Sequence, residues 1–317
     1  MNPFTRIRAK SLRSLGENQL IDEIRGWLGD VNPPAPFGIG DDCAVFAPAK
    51  KQQVITVDPV IFGRHFDRRI SPEQVGAKLL KRNLSDLAAM GAKPTVAVIS
   101  LALDAQVSTA WLKAFYIGLA KTARTYSVKI VGGDIAQADQ VLVATLTLVG
   151  VVSGKRLLFR DGAKIGDSIY VTGQLGGSLE SHHVDFTPLL EEGAWLAAEK
   201  DVRSMMDVSD GLAKDLRSLT PRGAKPCVRL EHLPVSPAAR RAARRSGKAP
   251  AHHALSDGED YQLLFSLAAS ANRAAFERRW ARKFKTRLTQ IGLFVDADAK
   301  IDGAIDFAAL SGYEHLR

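Results

Sequence analysis

The longest largely apolar run of the sequence, residues 141–152, limits the fold more than any other feature. It is too short for a membrane-spanning helix, which needs about 20 residues, and its β-branched residues favour a buried strand. Because the pattern of strands and helices starts afresh after this run, we predict two domains, 1–152 and 153–317. A chain of 317 residues is long enough for both, since a domain takes about 150 residues.

The first half alternates helix and strand signals. A capping-box pattern from Ser14 to Glu17 predicts the start of a helix. The β-branched residues 54–57 predict a strand that delivers Asp58 at its C-terminal end. The remaining predicted elements are a helix from Ser71 to Gly91, a strand over 96–103, a helix over 108–126 and a strand over 128–131.

The second half mixes the same two kinds of element. The predicted elements are strands over 169–171, 205–208, 227–230, 261–267 and 288–295, with helices over 189–200 and from Leu212. Together the two halves predict an α/β or α+β fold.

Charge and cysteine content narrow the class of protein. The net charge of +9 favours anionic ligands without naming one. Neither cysteine, Cys43 or Cys227, belongs to a Cys-x-x-Cys pair, which disfavours a disulfide framework and a zinc ribbon. The basic N-terminus has no apolar core after it, so a secretory signal is not expected, and a transit peptide is the weaker alternative. We expect a cytoplasmic protein without a membrane segment.

Two basic clusters lie late in the sequence, at 240–248 and 278–287. They fit either a nucleic-acid-binding patch or the exposed faces of two helices. No recognised nucleic-acid-binding motif accompanies them, and aromatic residues are sparse between them. We therefore favour exposed helix faces and do not expect nucleic acid as a partner.

Aspartates recur at positions where α/β proteins bind ligands. Asp42 lies in a Gly-rich stretch, whereas Asp58, Asp134 and Asp207 each lie at the end of a predicted strand. Ligand sites gather at the carboxyl ends of strands, so these side chains could converge. Asp beside Gly is also ordinary turn chemistry. Asp86 differs, because a carboxylate inside an apolar helical stretch must face solvent or find a partner.

Converging carboxylates would require a cation. Two like charges about 4 Å apart repel by about 4 kcal/mol at an effective dielectric constant near 20. Oxygen ligands without a His or Cys cluster favour Mg²⁺, which completes its shell with water and phosphates. The sequence has neither a P-loop nor the protein-kinase motifs. The candidates for direct phosphate contact are the Gly132 and Gly133 amides, Ser209 and Arg160.

Six motifs give the chain a resemblance to a known family. They are residues 38–45 (GIGDDCAV), 83–92 (NLSDLAAMGA), 132–134 (GGD), 207–212 (DVSDGL), 258–261 (GEDY) and 312–315 (GYEH). In this order they resemble the thiamine-monophosphate kinases, which belong to the superfamily of aminoimidazole ribonucleotide synthetase. The second motif is the most specific, and the match spans nearly the whole chain.

The resemblance implies a two-domain aminoimidazole ribonucleotide synthetase-like fold. The N-terminal domain, a mixed sheet with helices, would bind ATP and metal and form a homodimer. The C-terminal α+β domain would close the cleft for nucleotide and substrate. The implied reaction is Mg²⁺-assisted, in-line transfer of a phosphoryl group from ATP to thiamine monophosphate, with several Mg²⁺ ions bound.

The resemblance also assigns roles to residues by motif. The implied metal ligands are Asp42, Thr56, Val57, Asp58, Asp86, Asp134, Asp207 and Asp210. Asp58 and Asp134 are the implied catalytic residues. The implied contacts to ATP are Gly133, Asp134, Arg160 and Ser209. His65 and Glu259 are the implied contacts to thiamine monophosphate, and Tyr313 is the nearest candidate for a substrate aromatic.

The chain departs from the family pattern at three places. Val57 stands where the family has a hydroxyl residue, so only its carbonyl could bind metal. Ile135 follows Asp134 where the family has Thr, and an arginine-containing stretch before the second-domain helix is missing. Two alternatives therefore stay open: a paralogue using ATP on a different acceptor, as cyclo-ligases or dehydratases of the superfamily do, and a catalytically silent nucleotide-binding protein.

Overall fold

The computed structural model divides the chain into two units. It describes residues 2–15, 17–34, 37–39, 46, 48–180, 182–307 and 310. The N-terminal unit comprises Met1–Leu87 and Lys93–Val152, and the C-terminal unit comprises Ala88–Ala92 and Ser153–Arg317. Each unit contains one β-sheet.

The N-terminal unit has a mixed sheet with helices. Its elements are α1 (Glu17–Leu28), β1 (Gln53–Ile61), α2 (Pro72–Met90), β2 (Ala92–Leu103), α3 (Thr109–Thr125), β3 (Lys129–Gln137) and β4 (Leu142–Val152). The strand order is β1-β4-β2-β3. Strands β1 and β4 are antiparallel, whereas β2 and β3 are parallel. The predicted apolar strand is therefore β4, in the interior of the sheet.

Two strands extend beyond the predicted ends. Strand β1 continues to Ile61 because it pairs with β4 along its whole length, and Asp58 lies opposite Leu146 within that pairing. Strand β3 likewise contains Asp134, which lies opposite Ser100 of β2. The prediction that Asp58 and Asp134 lie at the ends of their strands is wrong, since tertiary pairing extends both strands further along the chain.

The predicted start of the first helix is also wrong. Helix α1 begins at Glu17, and a 3₁₀ turn, Leu12–Ser14, precedes it. The Ser14 hydroxyl donates to the Ser11 carbonyl at 2.8 Å. Ser14 therefore completes the 3₁₀ turn.

Two glycines allow α2 and α3 to pack closely. A Cβ at Gly118 of α3 would lie 2.0 Å from the Glu73 carbonyl oxygen, and a Cβ at Gly76 of α2 would lie 2.0 Å from the Phe115 carbonyl oxygen. Neither position tolerates a methyl group without separation of the helices.

We expect Gly118→Ala to lower the free energy of unfolding by about 2 kcal/mol. The strain of overpacking, about 3 kcal/mol, outweighs the gain in helix propensity of about 1 kcal/mol. Gly26→Ala in α1 is the matched control, because a Cβ there has no neighbour within 4 Å. Urea unfolding should show Gly26→Ala unchanged or slightly stabilised. Equal stability of the two variants would contradict the close-packing argument.

The C-terminal unit is built on an antiparallel sheet. Its elements are β5 (Ser168–Thr172), α4 (His182–Asp185), α5 (Leu190–Ala198), β6 (Val202–Asp207), α6 (Leu212–Leu219), β7 (Ala224–Val228), α7 (Pro237–Ser246), α8 (Pro250–Ser256), β8 (Leu263–Leu267), α9 (Arg273–Lys283) and β9 (Leu288–Asp296). The strand order is β6-β8-β5-β9-β7. The described pairs are antiparallel.

Helices cover both faces of this sheet, so its central strands are buried on both sides. Ile169 and Val171 of β5 pack in one core with α6 and α8. Tyr170, which points to the other face, packs in a second core with α5 and α9. Because successive side chains of β5 point to opposite faces of the sheet, this strand contributes to both hydrophobic cores.

Most residues of the two basic clusters lie on helices α7 and α9, which have narrow buried faces. In α7 the buried residues are Ala239 and Ala243. In α9 they are Phe276 and Trp280. The arginines occupy the remaining helix surface, as expected for exposed helix faces. Within the described ranges, no helix is both long and apolar enough to cross a membrane.

Candidate functional site

In the N-terminal unit, Thr56 and Asp86 form a direct hydrogen bond. The Thr56 hydroxyl donates to Asp86 Oδ2 at 2.5 Å. Alternation along β1 places Thr56 on the side of the strand that faces α2, where Asp86 lies. The sequence left two possibilities for Asp86, solvent or a polar partner, and the structure shows the second, with Thr56 as the partner.

Asp58 lies two residues further along β1, on the same side as Thr56. Its carboxylate forms an ion pair with Arg82 of α2, with an Oδ1–Nη2 distance of 3.3 Å. Arg82 also donates to the Pro59 carbonyl at 2.8 Å. Arg82 and Asp86 are one helical turn apart, so β1 and α2 together present two carboxylates, a hydroxyl and one guanidinium.

Val57 points away from this group. Its side chain is 58% exposed, on the opposite side of β1 from Thr56. Only its backbone carbonyl is available to a metal, as the sequence indicated. Its role as a ligand stays a prediction.

The chemistry of this group fits Mg²⁺ better than zinc. Its donors are hard oxygens, and Mg²⁺ is usually held by one or two carboxylates together with waters and substrate phosphates. Across the described ranges, no three His, Cys, Asp or Glu side chains form a ready-made metal cluster. The predicted convergence of several carboxylates on one point is thus not seen there. Asp42, another predicted ligand, lies outside the described residues.

Asp134 and Gly133 occupy the other edge of the same sheet. Strand β3 is at the opposite edge from β1, and the Asp134 side chain is exposed. Gly132 and Gly133 belong to β3 and do not form the loop that the sequence suggested. A Cβ at Gly133 would lie 2.1 Å from the Ile99 carbonyl oxygen, so this glycine allows close approach of β2. The structure does not join Asp134 to the Thr56–Asp86 pair.

His65 lies in the turn after β1. Its Nδ1 accepts a hydrogen bond from the Ile61 amide at 3.1 Å, and its carbonyl accepts one from the buried Lys78 ammonium at 2.8 Å. These bonds give His65 a structural role in the turn. Its predicted contact with substrate stays a prediction.

In the C-terminal unit, the loop after β6 folds back on a buried carboxylate. Asp207 ends β6, as predicted. The amides of Ser209 and Asp210 both donate to Asp215 Oδ2 at 3.0 Å. Both amides already donate to Asp215. If Ser209 binds ATP as predicted, it does so through its hydroxyl or carbonyl group. Asp210 itself accepts from the Lys214 ammonium at 2.6 Å.

Asp215 is a residue of this site that sequence reasoning missed. It lies on the buried face of α6, where Leu212 and Leu216 pack into the core. Burial, together with repulsion from the carboxylates of Asp207 and Asp210, raises the pKa of Asp215 to about 7. The loop therefore concentrates negative charge, which a bound cation would relieve.

We expect the metal-free protein to lose stability as the pH rises from about 4 to about 7. The folded state binds a proton at Asp215 that the unfolded state releases, because the folded pKa is about 7 against an ordinary 3.8. The loss is about 4 kcal/mol, at about 1.4 kcal/mol per pKa unit. Urea unfolding in EDTA between pH 4 and pH 8 measures it.

Asp215→Asn is the matched variant for this measurement. The amide oxygen of Asn can still accept from the Ser209 and Asp210 amides, but Asn does not titrate. We expect its stability to depend less steeply on pH than that of the wild type. Identical slopes would exclude Asp215 as the source.

A second loop, residues 257–261, places Glu259 next to the loop that follows β6. The Glu259 amide donates to the Ser209 carbonyl, and the Tyr261 amide donates to the Val208 carbonyl, both at 2.8 Å. Glu259 and Tyr261 have φ angles of +52° and +50°, which cost about 1–3 kcal/mol each for residues other than glycine. Such strain concentrates at functional sites. The structure thus joins Glu259 to Ser209 and Asp210, which the sequence proposed separately.

The buried side chain of Asp260 holds this second loop in place. It is buried, and its Oδ1 accepts from the Gly176 amide at 2.8 Å. Its Oδ2 has no hydrogen-bond partner among the described residues. Burial raises the pKa of Asp260 well above its ordinary value. Asp260 belongs to the motif at 258–261, but the family resemblance assigned it no role.

Arg160 is exposed in the segment before β5. The neighbouring Phe159 carbonyl accepts from the Met205 amide of β6 at 2.9 Å, which holds this segment against the strand that ends at Asp207. Tyr313, the candidate substrate aromatic, lies outside the described residues.

Comparison with known proteins gives consistent matches. A family model described as AIR synthase related protein, N-terminal domain, matches residues 40–152. The chain is 39% identical to the thiamine-monophosphate kinase of Rhodopirellula baltica over 262 residues, which are 80% of this chain and 82% of that protein.

Solved structures agree. The thiamine-monophosphate kinase of Stenotrophomonas maltophilia K279a has a TM-score of 0.74 at 32% identity, covering 90% of this chain and 96% of that one. AaThiL complexed with AMPPCP and TMP has a TM-score of 0.69 at 32% identity, covering 90% and 92%. These likenesses confirm the fold class inferred from the sequence motifs.

Proposed function

The chain belongs to the thiamine-monophosphate kinase family, and on this premise we propose that it transfers the γ-phosphoryl group of ATP to thiamine monophosphate. The products are thiamine diphosphate and ADP. The observation that carries the proposal is identity of 39% to a thiamine-monophosphate kinase over 80% of the chain. The AaThiL complex with AMPPCP and TMP supports the choice of the two substrates.

The transfer needs no strong general base. The acceptor is a phosphate monoester whose second pKa is about 6, so its oxygens are already ionised at neutral pH. The obstacle is repulsion between two phosphorylated molecules. The residues of the site therefore act by holding charge-neutralising groups and by aligning the reactants.

In the N-terminal unit, Asp58 and Asp86 are the proposed Mg²⁺ ligands, with Asp134, Asp42 and the Val57 carbonyl as further ligands. Bound Mg²⁺ would neutralise phosphate charge and orient an in-line attack. Thr56 holds the Asp86 carboxylate through the 2.5 Å hydrogen bond. Arg82 holds Asp58 in place until metal binds.

In the C-terminal unit, Asp207 and Asp210 are the proposed metal ligands. The backbone bonds between the two loops fix Glu259 beside Ser209, which supports a role for Glu259 in contacting substrate. Arg160 is a proposed contact to nucleotide phosphate, since it is a cation held next to β6.

An acceptor panel tests the proposed reaction. The full chain is incubated with ATP, Mg²⁺ and either thiamine monophosphate, thiamine or an unrelated phosphate monoester, and the products are separated by chromatography. We expect thiamine diphosphate from the first acceptor and no phosphorylated product from the others. Turnover of a different acceptor alone would favour the paralogue. ATP binding without turnover would favour the silent protein.

We also propose that the chain forms a homodimer through the outer face of the N-terminal sheet. Ile55 and Val57 of β1 are 71% and 58% exposed, and they alternate with the residues that face α2. Exposed apolar patches of this kind usually mark protein interfaces. Because the family resemblance implies a homodimer, we propose that a second copy of the chain covers this patch.

Light scattering after size exclusion tests the dimer. We expect the wild type to have the mass of a dimer and Ile55→Lys to shift towards the monomer. Ile117→Lys is the matched control, since Ile117 is also exposed, at 47%, but lies on α3. A monomeric wild type would overturn the proposed assembly.

We propose the cytoplasm as the compartment. A free thiol at Cys227 suits a reducing environment, where ATP is also supplied. Immunoblotting of cell fractions tests this, and recovery in an oxidising compartment would contradict it.

A further inference from the structure

Three side chains of the C-terminal unit that have no part in the proposed kinase reaction form a hydrogen-bonded series, although one of them, Asp257, lies in the same loop as Glu259. Ser246 Oγ lies 2.8 Å from His253 Nε2, and His253 Nδ1 lies 2.9 Å from Asp257 Oδ1. Ser246 ends α7, and His253 lies in α8. This is the order of groups found in Ser-His-Asp hydrolases.

The partners of His253 determine which ring nitrogen carries the proton. The Asp257 carboxylate can only accept, so Nδ1 donates to it and Nε2 is left to accept from the Ser246 hydroxyl. The Gly177 amide donates to Asp257 Oδ2 at 2.8 Å and holds that carboxylate in place. The arrangement is thus oriented to remove the proton from Ser246 Oγ.

Exposure also matches what a nucleophile and its base require. Ser246 is exposed, whereas His253 is only 9% exposed. The Lys248 amide donates to Ser246 Oγ at 3.2 Å, which would be enough for a simple helix-end cap. Such a cap requires neither a buried His nor a carboxylate behind it. Arg245 shares the carboxylate of Glu180 with Arg241, so this group keeps one net positive charge, and the exposed Lys248 adds another, two residues after the serine.

We propose that Ser246 is an activated nucleophile that takes an acyl group from small, negatively charged, activated acyl esters. Ser246 Oγ attacks the carbonyl carbon while its proton passes to His253 Nε2. The new Oγ–C bond replaces the bond between the carbonyl carbon and the leaving oxygen. That oxygen departs with the proton from His253 or as a stable anion. The product is an O-acylated Ser246, and no oxidant or reductant takes part.

Mono(4-nitrophenyl) succinate is a suitable probe, because it is an anionic aryl ester and releases coloured nitrophenolate. We expect a burst stoichiometric with the full chain and a succinyl group at Ser246 in the peptide map. Ser246→Ala should give no burst. His253→Gln should slow acylation by about 10²-fold or more, the usual contribution of a general base. Thermal unfolding and circular dichroism establish that each variant is folded.

Two matched controls separate activation from chance reactivity. His252→Gln changes the neighbouring histidine, which contacts Lys248 and not Ser246, and should leave the burst rate unchanged. Ser218 is an exposed serine of α6 and should carry no succinyl group. Comparable labelling of Ser218 and Ser246, no labelling of Ser246 in the wild type, or an unchanged rate in folded His253→Gln would each overturn the proposal.

Discussion

Asp58→Asn should lower the rate of thiamine diphosphate formation by about 10³-fold, which corresponds to about 4 kcal/mol of transition-state stabilisation. The substitution removes the negative charge proposed to hold Mg²⁺ and keeps the shape of the side chain. Asn can still accept from Arg82, so the contact between β1 and α2 should survive. Steady-state kinetics with saturating thiamine monophosphate measures the loss.

The matched control is Asp67→Asn in the same unit. Asp67 forms an ion pair with Arg69 at 2.7 Å, and no predicted role falls on it. We expect this variant to keep wild-type kinetics. Undiminished turnover by correctly folded Asp58→Asn would remove Asp58 from the mechanism, whereas a Tm far below that of the wild type would make Asp58 a structural residue.

Asp134→Asn should also lower turnover by about 10²–10³-fold, within the range for loss of one electrostatic stabiliser. Its carboxylate is exposed on edge strand β3, so the substitution should not change the free energy of unfolding. The expected kinetic signature is a higher Mg²⁺ requirement together with a lower kcat. Measurement of kcat over a range of Mg²⁺ concentrations distinguishes this from a simple loss of ATP affinity.

Asp139→Asn is the control for that variant. Asp139 is exposed like Asp134 and follows β3 by two residues, but no predicted role falls on it. Its kinetics should match those of the wild type. Equal losses in both variants would indicate a general effect of surface charge and not a metal ligand at Asp134.

The candidate site residues could be predicted from the sequence better than the contacts that surround them. The apolar helical neighbours of Asp86 predicted that its carboxylate faces solvent or finds a partner, and Thr56 is that partner. The same argument, applied to α6, would have found Asp215 between Leu212 and Leu216. The Asp-Gly turn that precedes the helix is the stronger local signal, and it gives no indication of the buried carboxylate after it.

Strand ends and arginine-rich helices were harder to predict. The local signal for β1 stops at Val57, but pairing with β4 carries the strand to Ile61. Helix α7 buries only Ala239 and Ala243, so it has almost no apolar stripe for periodicity to detect. In both cases the secondary structure depends on tertiary contacts that the local sequence pattern does not show.

The joining of the two C-terminal loops could not be predicted from spacing. Residues 207–211 and 257–261 are far apart in sequence, and backbone hydrogen bonds between them depend on the positive φ angles of Glu259 and Tyr261. Neither residue type favours that conformation. Resemblance to a family was therefore the one signal that placed both loops in the same site.

The central claim is that carboxylate-bound Mg²⁺ permits two negatively charged phosphate compounds to react. The most direct test strips metal from the wild type and from Asp58→Asn with EDTA, then titrates Mg²⁺ at fixed ATP and thiamine monophosphate while thiamine diphosphate is measured. We predict no product without metal, full recovery in the wild type, and recovery in Asp58→Asn only at higher Mg²⁺ and to a lower rate. Product in the continued presence of EDTA, or superimposable Mg²⁺ curves for the two proteins, would contradict the account.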